Sequence, residues 1–312
     1  MTGLSPHVQS PPTEEALAWV QAALGSGTRV TAMRRLAGGT SSAVHGLTCR
    51  DAAGNETALV LRRFTLQKWL DEEPDLAPRE ANVLKHLEGN AVPAPRLVAV
   101  DSWGEACDVP AVLMTKLPGR IELAPADLDD WLLQMATTAA AIHDIDWHGE
   151  PPLTAYFPWV ERPQIEASVW PQDPDRWHRA VELMLGPEPA YTPRFLHRDY
   201  HPGNILWQDG RLSGVVDWVN GCYGPPDVDL AHCRDNIVDL HGLAAADRFL
   251  AAYTALTGRG LDPYWELLEI TDCGLGSVGF GDQWVDLGLA TYSQSSSQLE
   301  QDAWIKSVLD RL

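Results

Sequence analysis

The sequence predicts a two-lobed α+β fold, with a small β-rich N-terminal lobe and a larger, mainly helical C-terminal lobe. Segments of alternating or β-branched apolar residues dominate the first third of the chain, and apolar residues at helical spacing dominate the rest. Between these regions, residues 117–120 (Leu-Pro-Gly-Arg) interrupt both patterns and are typical of a hinge. We therefore expect a flexible Pro-rich tail over residues 1–12, an N-terminal lobe over 13–117 and a C-terminal lobe over 118–312.

The N-terminal lobe is predicted to begin with a helix and to continue as a sheet. Thr13 followed by two Glu residues is a typical helix start, and Gly25 is a typical helix end. The polar segment 51–55 (Asp-Ala-Ala-Gly-Asn) is a turn between two β-rich segments. The predicted strands span about 28–37, 43–49, 57–64, 96–103 and 109–115, and a second helix spans about 75–88.

The C-terminal lobe shows helical periodicity around a few short strands. Residues 127–144 place apolar side chains at helical spacing, whereas residues 148–175 are rich in Pro and Trp and show weak periodicity. We interpret the latter segment as an excursion from the lobe. Short strands are predicted near 194–197, 204–208 and 211–216, and helices near 227–239, 244–257, 262–275 and 298–311.

The net charge of −20 argues against nucleic acids and anionic membranes as partners. Residues 1–117 carry 11 Lys and Arg against 13 Asp and Glu, whereas residues 118–312 carry 12 against 30. The acidic excess is therefore confined to the C-terminal lobe. It is explained either by a solubilising surface or by an electrostatic field that attracts a cationic substrate.

The cysteine usage and the N-terminus indicate a cytoplasmic protein. The five Cys residues are odd in number, widely spaced and free of any Cys-x-x-Cys pair, which predicts reduced thiols without a zinc site or disulfide framework. Residues 1–12 lack the basic start and apolar core of a secretory signal. No apolar run reaches the roughly 18 residues that a membrane span needs. The oligomeric state is left open.

The most informative motif is residues 195–206 (Phe-Leu-His-Arg-Asp-Tyr-His-Pro-Gly-Asn-Ile-Leu), followed by Val-Val-Asp-Trp at 215–218. Asp199 follows a short apolar strand, Asn204 comes five residues later, and Asp217 follows a hairpin. A lone Asp after a strand is usually a turn or a helix cap. This joint pattern instead suits phosphoryl transfer, in which one carboxylate accepts a hydroxyl proton while amide and carboxylate oxygens hold Mg²⁺.

The same residues resemble the aminoglycoside phosphotransferase family of small-molecule kinases, which share the protein-kinase-like fold. The resemblance extends from about residue 28 to the last helices and implies Asp199 as the catalytic base. It also implies Asn204 and Asp217 as Mg²⁺ ligands. His197 would brace the catalytic loop by hydrogen bonding to backbone near Asp217. Asp229, in the later segment Gly-Pro-Pro-Asp-Val-Asp, would tie a helix to this loop.

Residues of the N-terminal lobe also resemble the nucleotide site of this family. A loop between the first two strands is rich in Gly and hydroxyl side chains, which lets backbone N–H groups approach phosphates. The loop residues implied in nucleotide binding are Gly38, Gly39, Thr40, Ser41 and Ser42. Arg62 stands where kinases usually have a phosphate-contacting Lys, and Glu80 stands where its partner is found. Residues 114–117 align with the segment whose backbone binds the base in this family, and Met114 or Leu117 would contact the base.

The expected activity is transfer of the γ-phosphoryl group of ATP or GTP, with Mg²⁺, to a hydroxyl of a small molecule. An acidic lobe favours a cationic acceptor such as an aminoglycoside, whose modification would confer antibiotic resistance. A macrolide or an amino alcohol would use the same catalytic residues. The candidate acceptor-binding acids are Asp227, Asp235, Asp282 and Asp286.

Two other interpretations remain. One is a kinase-like module that binds nucleotide or a partner protein without turnover, because the Gly-rich loop is atypical and Arg replaces Lys. The other is a protein kinase, which is weaker because no Ala-Pro-Glu segment and no long activation loop follow Asp217.

Overall fold

The computed structural model describes residues 6–36, 42–147, 152–158, 173–274, 281–289 and 293–312. The chain forms two compact units, each assembled from separated stretches of sequence. The N-terminal unit contains Met1–Pro118 and Gly214–Asn220, and the C-terminal unit contains Gly119–Ser213 and Gly221–Leu312.

The N-terminal unit is built on an antiparallel sheet of five strands in the order β1-β2-β3-β5-β4. The strands are β1 (Arg29–Arg35), β2 (Ala43–Arg50), β3 (Glu56–Arg63), β4 (Leu97–Asp101) and β5 (Ala111–Thr115). The helices are α1 (Pro6–Gln9), α2 (Glu14–Leu24), α3 (Gln67–Glu72) and α4 (Leu76–Leu87). The short helix α3 was not predicted.

Local chemistry explains where α2 begins and how it packs. The Thr13 hydroxyl accepts a hydrogen bond from the Ala16 N–H at 3.1 Å, so it caps the helix as predicted. Ala16 and Val20 are fully buried against the sheet, where Leu61 belongs to the same apolar core. Burial of this apolar stripe holds an amphipathic helix on the sheet.

The described part of the predicted tail begins with α1 and contacts the rest of the N-terminal unit. Val8 in α1 is buried, and the Arg63 guanidinium donates hydrogen bonds to the carbonyl oxygens of Ser10 and Pro11. The same guanidinium pairs with Asp108. A Pro-rich composition suggested flexibility, but a buried cation supplies partners for the backbone of this segment.

The C-terminal unit is mainly helical and contains two small sheets, β10 with β7 and β6-β8-β9. Its strands are β6 (Arg120–Ile121), β7 (Arg194–Leu196), β8 (Ile205–Gln208), β9 (Arg211–Val215) and β10 (Cys222–Gly224), with the end of β9 belonging to the other unit. Its helices are α5 (Leu128–His143), α6 (Pro174–Met184), α7 (Asp227–His241), α8 (Leu243–Thr257), α9 (Pro263–Gly274), α10 (Gly281–Asp286) and α11 (Gln294–Leu309).

Helix α7 lies at the centre of this unit, where it packs against α8, α9 and α11. Residues 228–238 of this helix are all buried, which explains why the helix has little amphipathic pattern in the sequence. Helix α6 begins in the segment interpreted as an excursion, with Asp173 capping its first turn and Pro174 opening it. No helix in the described part of the chain is long and apolar enough to cross a membrane.

Gly119 illustrates a backbone position that only glycine fits. Its φ is +100°, and a Cβ atom there would lie 2.4 Å from Ser213 Oγ and 2.7 Å from the Trp207 carbonyl oxygen. We expect Gly119→Ala to lower the free energy of unfolding by about 3 kcal/mol, from backbone strain and overpacking together. Urea unfolding measures this change.

Gly258→Ala is the matched control for this prediction. Gly258 also has a positive φ of 70°, but nothing lies within 4 Å of the position that a Cβ atom would occupy there. Strain alone should cost about 1 kcal/mol at this residue. Equal losses in the two variants would show that the close approach at Gly119 has no energetic effect.

Candidate functional site

The loop after β7 carries the predicted catalytic residue. Phe195 and Leu196 are fully buried and fix the end of the strand, and the chain then turns through Arg198 with φ of 74°. A non-glycine residue in this left-handed region costs about 1–2 kcal/mol. Such strain persists only where surrounding contacts hold it, and it is frequent at functional sites.

Asp229 supplies those contacts. Its carboxylate is buried and accepts hydrogen bonds from the backbone N–H of His197 at 2.9 Å and of Arg198 at 2.7 Å. His143, at the end of α5, lies 3.2 Å from the same carboxylate and 2.8 Å from the Tyr253 hydroxyl. Burial favours the neutral acid, but the hydrogen bond and charge of His143 hold the pKa of Asp229 below its ordinary value.

Asn204 orients Asp199 within the loop. Residues 202–204 form a 3₁₀ turn, and the Asn204 Nδ2 atom donates to the Asp199 carbonyl oxygen at 2.9 Å and to Asp199 Oδ2 at 3.1 Å. With both contacts made through Nδ2, the amide oxygen Oδ1 is left as a donor atom for a hard cation.

His232 contacts the other oxygen of Asp199. Its Nε2 atom lies 3.0 Å from Asp199 Oδ1, and its Nδ1 atom lies 2.7 Å from Glu269 Oε1. His201 lies near the same carboxylate, with its Nε2 atom 3.8 Å from Asp199 Oδ1. His197 contributes Nδ1, which accepts from the Asp199 N–H at 3.3 Å.

These contacts set the charges of the network. Burial lowers the pKa of His232, but the charge of Glu269 and the hydrogen bond to Asp199 outweigh burial and raise it well above its ordinary value. Burial likewise raises the pKa of Asp199, but His201 and His232 outweigh it and hold that pKa far below its ordinary value. Asp199, His201 and His232 are close enough to share a cation. A protonated imidazole between two carboxylates, however, donates from both nitrogens and leaves no lone pair for a metal.

A pH dependence of stability follows from His232. Because its pKa is raised in the folded state, its contribution is fully present below about pH 6.5 and is lost as the pH rises toward the folded pKa. We expect the wild-type free energy of unfolding to fall above pH 7 by up to about 1.4 kcal/mol per pH unit, and His232→Asn to fall less. Urea unfolding at several pH values measures both slopes.

The change of stability above pH 7 reports on His232 and not on its neighbour Asp235, which loses its proton at lower pH. Burial, with the charge of Glu269, raises the pKa of Asp235 to about 7, so this carboxyl lowers stability between about pH 4 and 7. Equal slopes above pH 7 in the wild type and His232→Asn would contradict the assigned charge of His232.

A second cluster lies in the N-terminal unit around Arg62. The guanidinium is buried on β3 and donates to Glu80 Oε1 at 3.0 Å, to Asp217 Oδ1 at 2.5 Å and, through Nε, to the Ser42 hydroxyl at 2.9 Å. Burial opposes its charge, but Asp217 and Glu80 outweigh burial and raise the pKa of Arg62. Burial raises the pKa of Glu80 against the opposing charge of Arg62.

Asp217 is presented to this cluster by a turn directly after β9. Its φ is 66°, and Trp218 anchors the turn through an Nε1–H donated to the Val215 carbonyl oxygen at 2.9 Å. Trp218 is fully buried, whereas the Asp217 side chain is 31% exposed. A strained, partly exposed carboxylate beside a buried cation is a typical ligand-binding arrangement.

Residues 34–265 match the sequence profile of the phosphotransferase enzyme family, which is well over half of the chain. The chain belongs to this family. It is therefore a phosphotransferase, and the resemblance to the aminoglycoside phosphotransferases is confirmed. No curated protein sequence matches this phosphotransferase.

Solved structures show the same fold at low identity. An aminoglycoside-3'-phosphotransferase of type VIII is 20% identical, with a TM-score of 0.56, and the match covers 85% of this chain and 99% of that one. A thermostable mutant of aminoglycoside phosphotransferase APH(4)-Ia, bound to ADP and hygromycin B, is 16% identical, with a TM-score of 0.58 and coverage of 89% and 95%. An amicoumacin kinase is 14% identical, with a TM-score of 0.59 and coverage of 96% and 94%. The predicted α+β, kinase-like fold is thereby confirmed.

The remaining predicted nucleotide-binding residues of the phosphotransferase fall in two groups. Gly38, Gly39, Thr40 and Ser41 lie outside the described residues. Met114 is buried near the end of β5, and Leu117 is half-buried just beyond that strand. Ser42 is buried, and its hydroxyl is engaged by Arg62.

The four acids suggested for the acceptor occupy different environments. Asp227 accepts the Asp262 N–H at 2.8 Å, so it ties α7 to the start of α9. Asp235 is buried and accepts from Gln301 Nε2 at 2.6 Å, which suits a structural role better than an acceptor contact. Asp286 is exposed at the end of α10, and the side chain of Asp282 lies outside the described residues.

His232 and Glu269 are the functional residues that sequence reasoning missed. They lie on α7 and α9, 33 and 70 positions beyond Asp199. A His directly after the Asp-Leu-Ala segment at 229–231 was the available signal, because it places an imidazole one helical turn from Asp229.

Proposed function

We propose that this phosphotransferase moves the γ-phosphoryl group of ATP or GTP to a hydroxyl of a small cationic molecule. The observation that carries the proposal is the double restraint on Asp199. Asn204 binds one carboxylate oxygen, and His232 binds the other. Asp229 accepts a hydrogen bond from the loop backbone at Arg198. Positioning of this kind is the main contribution that a protein makes to phosphoryl transfer.

Asp199 would receive the acceptor hydroxyl. Because its pKa is held far below the ordinary value, the carboxylate is ionised at every physiological pH and is ready to accept a hydrogen bond from the hydroxyl. It would take the proton as the new P–O bond forms. His232, which is itself held by Glu269, would fix the orientation of Asp199.

Asn204 and Asp217 are the residues that would hold Mg²⁺. Each offers an oxygen donor, the ligand type that Mg²⁺ requires: Oδ1 of Asn204, and the partly exposed carboxylate of Asp217. When bound, the ion would neutralise charge on the transferring phosphate. Release of Asp217 from Arg62 would leave the guanidinium to contact phosphate oxygens.

The nucleotide would be bound by residues of the N-terminal unit. Arg62, held by Glu80, would contact the phosphates, and the loop containing Gly38, Gly39, Thr40, Ser41 and Ser42 would cover them. Backbone groups beside Met114 and Leu117 would bind the base. Similar structures contain ADP with APH(4)-Ia and AMP-PNP with the amicoumacin kinase, which supports ATP as the donor.

A cationic acceptor is supported by charge and by similar proteins. The C-terminal part of the chain carries the acidic excess, and exposed Asp286 belongs to it. Hygromycin B and streptomycin are bound in structures of similar phosphotransferases. If the acceptor is an antibiotic, the enzyme would confer resistance. A cytoplasmic location is supported by Cys49, Cys107, Cys222 and Cys233, which are buried and form no disulfide in the described part of the chain.

The contact between Arg62 and Asp217 favours one alternative function. In this contact Arg62, which was predicted to bind phosphate, pairs with Asp217, which was predicted to bind the metal. Such a pair would suit a kinase-like module that binds a partner without turnover. The two functions predict opposite results in a turnover assay.

The test measures ADP and GDP release with Mg²⁺ across aminoglycosides, macrolides and amino alcohols, beside Asp217→Asn. Acceptor-dependent release from the wild type, lost in Asp217→Asn and on chelation of Mg²⁺, supports the enzyme and identifies the acceptor class. Nucleotide binding without release for any acceptor favours the silent module. Failure to bind either nucleotide contradicts the proposal.

A further inference from the structure

A cavity of about 740 Å³ lies in the C-terminal unit, and none of the catalytic-loop residues lines it. It is lined by the start of β6, the first turn of α5 and the turn between β8 and β9. The lining residues include Gly119, Glu122, Asp130, Trp131, Trp207 and Asp209. The volume is in the range of small-molecule sites in proteins.

Two tryptophans form an apolar part of the lining. The indoles of Trp131 and Trp207 are stacked, with ring centroids 5.7 Å apart and planes 20° from parallel. Only 2% of Trp131 and 6% of Trp207 is exposed, and neither Nε1–H has a hydrogen-bond partner in the described residues. Buried N–H donors are normally satisfied, so an unpartnered pair beside a cavity indicates that a ligand or water supplies an acceptor.

The rest of the lining is strongly acidic. Four of the lining residues are acidic, Glu122, Asp127, Asp130 and Asp209, and the single basic one is Arg120. The Arg120 side chain is 83% exposed and lies 3.5 Å from Glu122, so it neutralises the cavity little. Four carboxylates around a concave surface produce a field that attracts cations and repels phosphates.

Gln134 on α5 fixes Asp130 and the β8–β9 turn, which carry two of the acidic side chains of the cavity. Its Nε2 atom donates to Asp130 Oδ2 at 2.7 Å and to the Gly210 carbonyl oxygen at 3.0 Å, and its Oε1 atom accepts from the Leu212 N–H at 2.9 Å. Asp209 is fixed in the same turn with φ of 51°. These contacts join α5 to the β8–β9 turn before any ligand arrives, which lowers the cost of binding.

We propose that this cavity binds a small organic dication that also carries an acceptor oxygen. The carboxylates would bind its two charges, its apolar part would pack against the exposed edges of the two indoles, and its oxygen would accept a hydrogen bond from an indole N–H. The site goes beyond the proposed phosphoryl transfer, because its recognition uses neither nucleotide nor the catalytic loop.

The test uses argininamide as the probe and citrullinamide, its neutral-urea isostere, as the matched compound. Binding is followed in the full chain through the indole ¹H–¹⁵N signals of Trp131 and Trp207, identified among 13 tryptophans with W131F and W207F. The protein variants are Glu122→Gln and Asp209→Asn. Glu182→Gln, on the exposed face of α6, is the control for loss of one charge.

We expect argininamide to shift both indole signals and citrullinamide to bind several-fold more weakly. Each lining substitution should raise the Kd about two- to fivefold, and Glu182→Gln should not. Unchanged Trp131 and Trp207 signals, equal affinities of the two probes, or equal losses in all three variants would each overturn the proposal. The experiment measures binding and not turnover, so its result does not depend on whether phosphoryl transfer is found.

Discussion

Replacing Asp199 with Asn is expected to lower kcat by about 10²–10⁴ while leaving nucleotide affinity nearly unchanged. The amide has nearly the shape of the carboxylate, so its contact with Asn204 can rearrange locally, but it cannot accept a proton from the incoming hydroxyl. The loss should be in kcat because the interaction develops only as the proton moves. Steady-state kinetics with the identified acceptor, and nucleotide titration, measure the two quantities.

Glu182→Gln controls for the loss of one carboxylate from the same unit and should retain wild-type kcat. If kcat fell by less than about tenfold in Asp199→Asn, a group other than Asp199 would have to accept the proton. Of the groups near the carboxylate, His201 and His232 would then be the ones to examine.

Asp229→Ala is expected to cause the largest loss of stability, about 3–5 kcal/mol in the free energy of unfolding. The substitution removes a buried carboxylate and leaves the N–H groups of His197 and Arg198 without this acceptor. Residual folded enzyme should also have a low kcat, because the left-handed turn at Arg198 loses its support. Urea unfolding and kinetics on the folded fraction measure both effects.

Asp227→Ala is the matched control, since it removes a carboxylate two positions earlier on the same helix. Asp227 is half-buried and accepts one hydrogen bond, from the N–H of Asp262, whereas Asp229 accepts two from the loop. We therefore expect Asp227→Ala to lower the free energy of unfolding by only about 1 kcal/mol. Similar losses in the two variants would mean that Asp229 does not hold the loop.

The contact between Asp199 and Asn204 was predictable because the two residues are close in sequence. The spacing between Asp199 and Asn204 is five residues, and one short turn brings the two side chains together. The Asp229 contact was inferred from the family resemblance, since its partners on the loop lie 31 and 32 positions away. His232 and Glu269 were missed because tertiary packing alone brings α7 to the loop and α9 to α7.

Helix α6 and the contacts of the N-terminal segment were not predicted, for two different reasons. Helix α6 carried a clear Asp-Pro start at residues 173–174, but the surrounding Pro and Trp content obscured it. The N-terminal segment has no periodicity of its own, and its carbonyl oxygens accept hydrogen bonds from Arg63, more than 50 positions later. Polar tertiary contacts of this kind leave no periodic signal in a single sequence.

The discontinuous make-up of the N-terminal unit has a consequence for biosynthesis. Residues Gly214–Asn220 belong to this unit, although 95 residues of the other unit precede them in the chain. During translation, Arg62 and Glu80 would emerge long before Asp217, so the nascent unit would hold a buried cation with one of its two carboxylates missing. A fragment ending near Pro118 should therefore be a poor autonomous domain. Adding a synthetic peptide spanning Gly214–Asn220 would then be a direct way to look for complementation.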